Sequence, residues 1–163
     1  MTQLNKVSKT VARLEKAPKF MRTWVLSTAF GTMIPYAGRS KVRVEKLTHS
    51  QSVITIKNKR SVQNHIGSIH ATAIAIAAES ATGYLVAMNV PDSSVPVIKT
   101  LKVDYEKRCK GNITAEAHLT DAQREQIKTQ EKGEVTVPVT IIDGENKQPV
   151  QCEMIWAWTP KRR

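Results

Sequence analysis

Asn64-His65-Ile66-Gly67-Ser68-Ile69-His70 runs directly into Ala71-Thr72-Ala73-Ile74-Ala75-Ile76-Ala77-Ala78-Glu79-Ser80-Ala81-Thr82-Gly83-Tyr84-Leu85-Val86-Ala87-Met88. Between Ala71 and Met88 the only charged residue is Glu79, and Ala, Ile, Leu and Met dominate every side of the helical wheel. A helix apolar all round is a buried helix. One carboxylate in its middle costs free energy unless it is paired, hydrogen-bonded or protonated. Glu79 therefore has either a structural partner or a chemical task, and the remaining chain is expected to coat this helix with strands.

Working outward, the period changes on both sides. Upstream, Val42, Val44 and Leu47 alternate with Arg43, Glu45 and Lys46, and Val53-Ile54-Thr55-Ile56 is a second β-branched run. Thr48-His49-Ser50-Gln51 between them reads as a hairpin turn. Nearer the N-terminus, Leu4, Val7, Val11 and Leu14 recur at helical steps. Pro18 opens a second short helix carrying Phe20, Trp24, Val25 and Ala29. Gly31 reads as its stop, and Pro35 and Gly38 mark a loop.

Downstream, Pro91-Asp92-Ser93-Ser94 is a loop by its turn chemistry. Strands are expected over Val97–Glu106, Ile113–Leu119, Glu134–Ile142 and Val150–Thr159, with a tight turn at Asp143-Gly144. Asp121 to Lys132 is polar without an apparent apolar face and reads as a turn or short solvated helix. The expected class is α+β: a curved antiparallel sheet of about six strands wrapped around one long buried helix, with two N-terminal helices. Residues 1–163 form a single domain, with a helical extension over 1–35 and a core over 36–160.

Composition fits that picture. Hydrophobic residues at 40% and charged ones at 24% describe an ordinary globular chain, and 163 residues suffice for one core. No run approaches the roughly 20 apolar residues of a membrane span, and no signal peptide is read at the N-terminus. Cys109 and Cys152 have neither metal-ligand spacing nor a disulfide framework, so a reducing, cytoplasmic setting is expected and no metal. The formal charge of +11 raises nucleic acid as a partner. Against it, the bases are dispersed and aromatic residues, at 5%, are too few for a stacking platform. A positive surface equally suits a phosphorylated small ligand such as a coenzyme A thioester, or is simply a solvated face.

Asn64-x-x-Gly67-x-x-His70, with an acid nine residues later at Glu79, resembles the hotdog-fold acyl-CoA thioesterases of the phenylacetate-pathway and mammalian thioesterase-superfamily type. Those carry Asn-x-x-Gly-x-x-His-Gly-Gly and then Asp or Glu on the long helix. With two helices ahead of the first strand, the chain is similar to an uncharacterised bacterial branch of that superfamily, over most of Pro18 to Thr159. The resemblance implies that Glu79 is general base or nucleophile and that Asn64 orients water or the acid. It further implies that the Ala71 N–H polarises the thioester carbonyl, that His70 assists or positions the loop, and that Gly67 lets the backbone turn. Coenzyme A would be part of the substrate rather than a cofactor. Lys57, Lys59 and Arg60, with Lys107, Arg108 and Lys110, are candidates for its phosphates on charge and strand-end position alone.

Elementary physics bears on the same residues. Amides at a helix start are unsatisfied and positively polarised, a ready site for a developing oxyanion. Burial raises a carboxylate toward useful base strength. Nine helical residues, however, turn through about 900° and rise about 13.5 Å, leaving His70 and Glu79 on opposite faces. Only a second subunit can bring both to one carbonyl, so the expected assembly is a homodimer or dimer of dimers with shared sites. The chain departs from the pattern in two ways: Ala71-Thr72 replaces Gly-Gly, and Ile98 stands where some members carry Ser or Thr. A non-catalytic acyl-CoA or fatty-acyl binding protein is the second reading, and a basic nucleic-acid binder the third. His49, His65 and His118 read as surface or packing residues. Trp24, Trp156 and Trp158 read as packing, the last two on one strand face.

Overall fold

The computed structural model describes residues 4–161. The N-terminal part is helical: α1 (Lys6–Leu14), α2 (Lys19–Met33) and α3 (Pro35–Arg39). The hairpin β1 (Arg43–Leu47) and β2 (Gln51–Ile56) follows, closed at Thr48 by an N–H donated to the Gln51 carbonyl at 2.8 Å. A one-turn 3-10 helix (Arg60–Val62) and a loop lead into α4 (Ala71–Ala87). Then come β3 (Ser94–Tyr105), β4 (Ile113–His118), α5 (Asp121–Thr129), β5 (Gly133–Thr136), β6 (Val139–Asp143) and β7 (Val150–Pro160).

The strands form two antiparallel sheets, ordered β1-β2-β4-β6 and β3-β7-β5. α4 packs on β2, β4 and β6 of the first and on β3 and β7 of the second. Alanine makes that close approach possible: Ala77, Ala78 and Ala81 are fully buried, as is Leu85. The strands answer with alternating buried residues, Ile54 and Ile56, Ile113, Ala115 and Ala117, and Met154, Trp156 and Trp158. Trp156 and Trp158 thus share the inner face, as their spacing predicts. The Trp156 indole is fixed by donating to Thr82 Oγ1 at 2.8 Å, and it lies directly over Gly83.

Several elements differ from expectation, each for a physical reason. The span Glu134–Ile142 is two strands, which makes seven in all among the described residues. Pro138 has no N–H to continue a ladder, so β5 ends on β7 and β6 restarts on β4, with the Val137 N–H still bonded to Met154 at 2.9 Å. Gly31 does not stop α2, and Pro35 opens α3 rather than a loop. Gly31 and Gly38 instead let the two helices touch: a Cβ on Gly38 would sit 2.7 Å from the Gly31 carbonyl oxygen. Asp121–Lys132 contains the true helix α5, capped by Thr120 and Gln123 in a reciprocal box and pinned by fully buried Ile127.

α1 is tied to a distant part of the chain. Asn5 accepts from the Ser8 N–H at its cap, while its Nδ2 donates to the carbonyls of Ala87 (2.8 Å) and Val90 (2.6 Å) just past α4. No described helix is long and apolar enough to cross a membrane.

Candidate active site

The loop into α4 is held by its own polar residues. Asn64 Oδ1 accepts from the N–H groups of Ile66 (3.0 Å) and Ser68 (3.1 Å), and its backbone N–H donates to the Ser68 carbonyl. Gly67 takes φ +75°, a left-handed conformation suited to glycine. A bridge between Gln63 and Ile69 closes the excursion. His70 then caps α4: its Nδ1 accepts from the Thr72 N–H at 3.2 Å and lies 2.9 Å from Thr72 Oγ1. Its carbonyl accepts from Ala73 and Ile74. In this opening turn the exposed Ala71 N–H donates to no group among the described residues.

Glu79 lies two turns further along. α4 is buried except at its last residue, half-buried Ala87, and along a stripe running through exposed Ala71 and Thr72 to half-buried Ala75, Ile76 and Glu79. That spacing is one helix face. No cation pairs with Glu79 among the described residues. Burial pushes its carboxyl above the ordinary carboxylate value. Tyr84, one turn on, is pushed up to about 12, chiefly by burial and also by the Glu79 charge. The hydroxyls of Ser80 and Tyr84 lack hydrogen-bond partners among the described residues. The stripe therefore presents a raised-pKa carboxylate and, about 12 Å away along the axis, a free helix-start amide.

The model of a domain of unknown function, DUF4442, matches residues 22–158. The chain belongs to this family. No curated protein matches it. Three solved structures resemble the DUF4442 chain in fold. A Pseudomonas aeruginosa protein of unknown function, named a probable thioesterase, is 22% identical, with TM-score 0.73 over 80% of this chain and 91% of its own. A thioesterase enzyme from Staphylococcus aureus, in a glutamine-to-alanine variant, is 14% identical, with TM-score 0.65 over 77% and 99%. A thioesterase from Haemophilus influenzae is 12% identical, with TM-score 0.63 over 77% and 82%. These superpositions establish a shared mixed α+β architecture with antiparallel sheets.

The basic residues of this DUF4442 chain fall into two groups. Arg108 grips the Asn64–His70 loop, Nε donating to Ser68 Oγ and Nη2 to the Ile66 carbonyl, both at 2.8 Å. Lys110 pairs with Glu145 at 2.9 Å, and the Lys107 N–H bonds the Pro149 carbonyl. Lys57 and Lys59, by contrast, line a cavity of about 580 Å³ with Trp24, Lys41 and Arg43, while Arg60 opens the 3-10 turn beside them. Ile98 is half-buried opposite Trp156, just before a bulge that sets Thr100 opposite Ile155. The two are thus successive in pairing, and Thr100 does not supply a hydroxyl on the Ile98 face.

Tyr105 has no signal in the sequence that singles it out. The Tyr105 hydroxyl donates to the Ala71 carbonyl at 2.6 Å, tying β3 to the helix start. Among the histidines, His65 is exposed, His118 contacts Glu116 at 3.0 Å, and His49 borders a separate cavity.

Proposed function

We propose that this protein is a hotdog-fold acyl-thioester hydrolase that acts on an acyl-CoA or related thioester as a homodimer with shared sites. The observation that carries the reading is the coexistence of two unengaged groups on one face of α4, the Glu79 carboxylate and the Ala71 N–H. A helix surrounded by antiparallel strands, and likeness in fold to proteins named thioesterases, support it. So does β3, one of the two edge strands of its sheet, with Val95, Val97, Leu101 and Tyr105 exposed along it. A long apolar edge is suited to pairing with a second copy.

In the proposed site the thioester carbonyl oxygen accepts from the Ala71 N–H, and Glu79 of the partner subunit takes a proton from water. The water oxygen bonds to the carbonyl carbon, and the amide stabilises the oxyanion that forms. When the C–S bond breaks, the leaving thiolate takes the proton back from Glu79. Asn64 holds the loop, and its unengaged Nδ2 is the group available to orient water. One feature favours the second reading, an acyl-CoA binder without turnover: His70 and Thr72 engage each other where the resembled enzymes have small residues after the histidine.

Thiol release measured across acyl-CoA chain lengths tests the proposal. Saturable binding without turnover would favour the binder, and salt-sensitive binding to duplex DNA the third reading. If sites are shared, Glu79→Ala and Asn64→Ala proteins, each impaired alone, should regain activity when their subunits are mixed. A fully active monomer would sink the shared-site scheme.

A second expectation concerns phosphates. Lys41, Arg43, Lys57 and Lys59 face the same cavity, and no carboxylate lines it. Free coenzyme A is expected to bind there more weakly as salt rises, because exposed charges are screened, and more weakly still to a Lys57→Ala, Lys59→Ala protein. Affinity indifferent to both changes would remove these lysines from the site.

A further inference from the structure

The helix α2 turns an apolar side to solvent. Its inner side is marked by buried Leu26 and Phe30. At about 100° per residue, the opposite side carries Phe20, Trp24, Thr28 and Thr32 in one i, i+4 row. Half-buried Met21 and Val25 flank that row. Phe20 is 86% exposed and Trp24 64%. A surface helix ordinarily keeps its charged residues outward. Here the outward row has none, and the two charges of α2, Lys19 and Arg22, lie off it. The Arg22 Nε is moreover tied to the Ala17 carbonyl at 3.0 Å. The row's last hydroxyl, Thr32 Oγ1, donates to the Thr28 carbonyl at 2.8 Å, so it could leave water without losing its partner.

Charge decides what covers this side. From Glu15 to Glu45 the intervening chain has no acid and six bases: Lys16, Lys19, Arg22, Arg39, Lys41 and Arg43. Lys16, Lys19, Arg39 and Lys41 pair with no carboxylate among the described residues. Two of them stand at the start of α2 and two beyond its end. Lys41 also shares a cavity wall with Trp24 and Thr28, which sets a base beside the row itself.

A second copy fits this surface badly. In a two-fold dimer the same patch faces itself, and with bases at both ends either orientation of the helices sets cation against cation. A negatively charged bilayer fits it well. Phe and Trp rings enter the headgroup boundary, where Trp is favoured, while flanking Lys and Arg meet lipid phosphates. With 15 residues and no span length, α2 would lie in the surface rather than cross it. We propose that the outward side of α2 is a docking face for an anionic phospholipid bilayer. It does not depend on the hydrolase reading, and Phe20, Lys16 and Lys19 lie outside the cavity that Lys57 and Lys59 line.

The test is sedimentation of the full chain with vesicles of equimolar phosphatidylglycerol and phosphatidylcholine, against vesicles of phosphatidylcholine alone. The anionic vesicles should bind at least about tenfold more tightly, and less tightly as salt rises. Trp156 and Trp158 are 6% and 0% exposed, so a change in indole emission reports on Trp24. That emission should shift to the blue as vesicles are added. Phe20→Ser, and separately Lys16→Gln with Lys19→Gln, should each weaken binding at least about tenfold while circular dichroism stays unchanged. No binding to anionic vesicles, equal binding to neutral ones, an unshifted emission or parental affinity in Phe20→Ser would each overturn the proposal. Loss of self-association in Phe20→Ser, with no vesicle binding by the parent, would make a second copy the occupant instead.

Discussion

Glu79→Gln is expected to leave the protein folded and able to bind ligand while lowering thioester turnover by at least about 100-fold. Gln keeps the size and hydrogen-bonding capacity of Glu but cannot take the proton from water. No cation in the chain would be orphaned by the change, because none pairs with Glu79 among the described residues. The stability effect has a defined sign. Burial raises the folded-state pKa of Glu79 above the ordinary carboxylate value, so the folded chain holds that proton more tightly than the unfolded one. The associated stabilisation is fully present below the unfolded pKa and is lost as pH rises through the raised folded value. Glu79→Gln should therefore melt level with the parent in acid and above it toward neutrality. The parent's kcat/KM should fall as pH drops through the same raised value. Thiol release and melting curves across pH check both. Parental turnover in the variant would end the base assignment, and a lower Tm at neutral pH would make Glu79 a structural anchor.

Gly83→Ala is expected to cost about 1–3 kcal/mol, as overpacking in a filled core does. A Cβ there would stand 2.5 Å from Trp156 Cζ2 and 2.6 Å from Cη2. The indole cannot yield freely, because its N–H is bonded to Thr82 Oγ1 on the adjacent residue of α4. For a chain of this size each kcal/mol lowers Tm by about 2–4 °C. Combining Gly83→Ala with Trp156→Phe should cost less than the sum of the two, since the smaller ring makes room for the methyl group. An unchanged Tm for Gly83→Ala would show that the β7 side of α4 is loosely packed.

What the sequence disclosed depended on how local the cause was. The all-apolar wheel from Ala71 to Met88 announced the buried helix, and β-branched alternation announced β2 and β7, because each pattern lies within its own element. The capping pair Thr120 and Gln123 was an equally local signal for α5, masked by the polarity around Ile127. Gly31 was misread because its role is to admit Gly38 from the next helix, which no periodicity reports. At the candidate site, the hydrogen bonds of Asn64 and the left-handed Gly67 are local to the loop. The grips of Arg108 and Tyr105 come from residues about 30–40 positions away, brought in by sheet register. Charge alone proposed Arg108 for phosphate; the fold engages it with Ser68 and Ile66.

The Asn5 anchor has a consequence for the order in which the chain is made. Its Nδ2 bonds span 82 and 85 residues, to Ala87 and Val90. At synthesis rates of about 5–20 residues per second, Asn5 is made roughly 4–17 s before its acceptors exist. During that interval α1 lacks the Asn5 bonds that tie it to the end of α4. The nascent chain thus carries an amphipathic helix without its anchor until α4 is complete, and a chaperone that engages such helices would meet it at that stage.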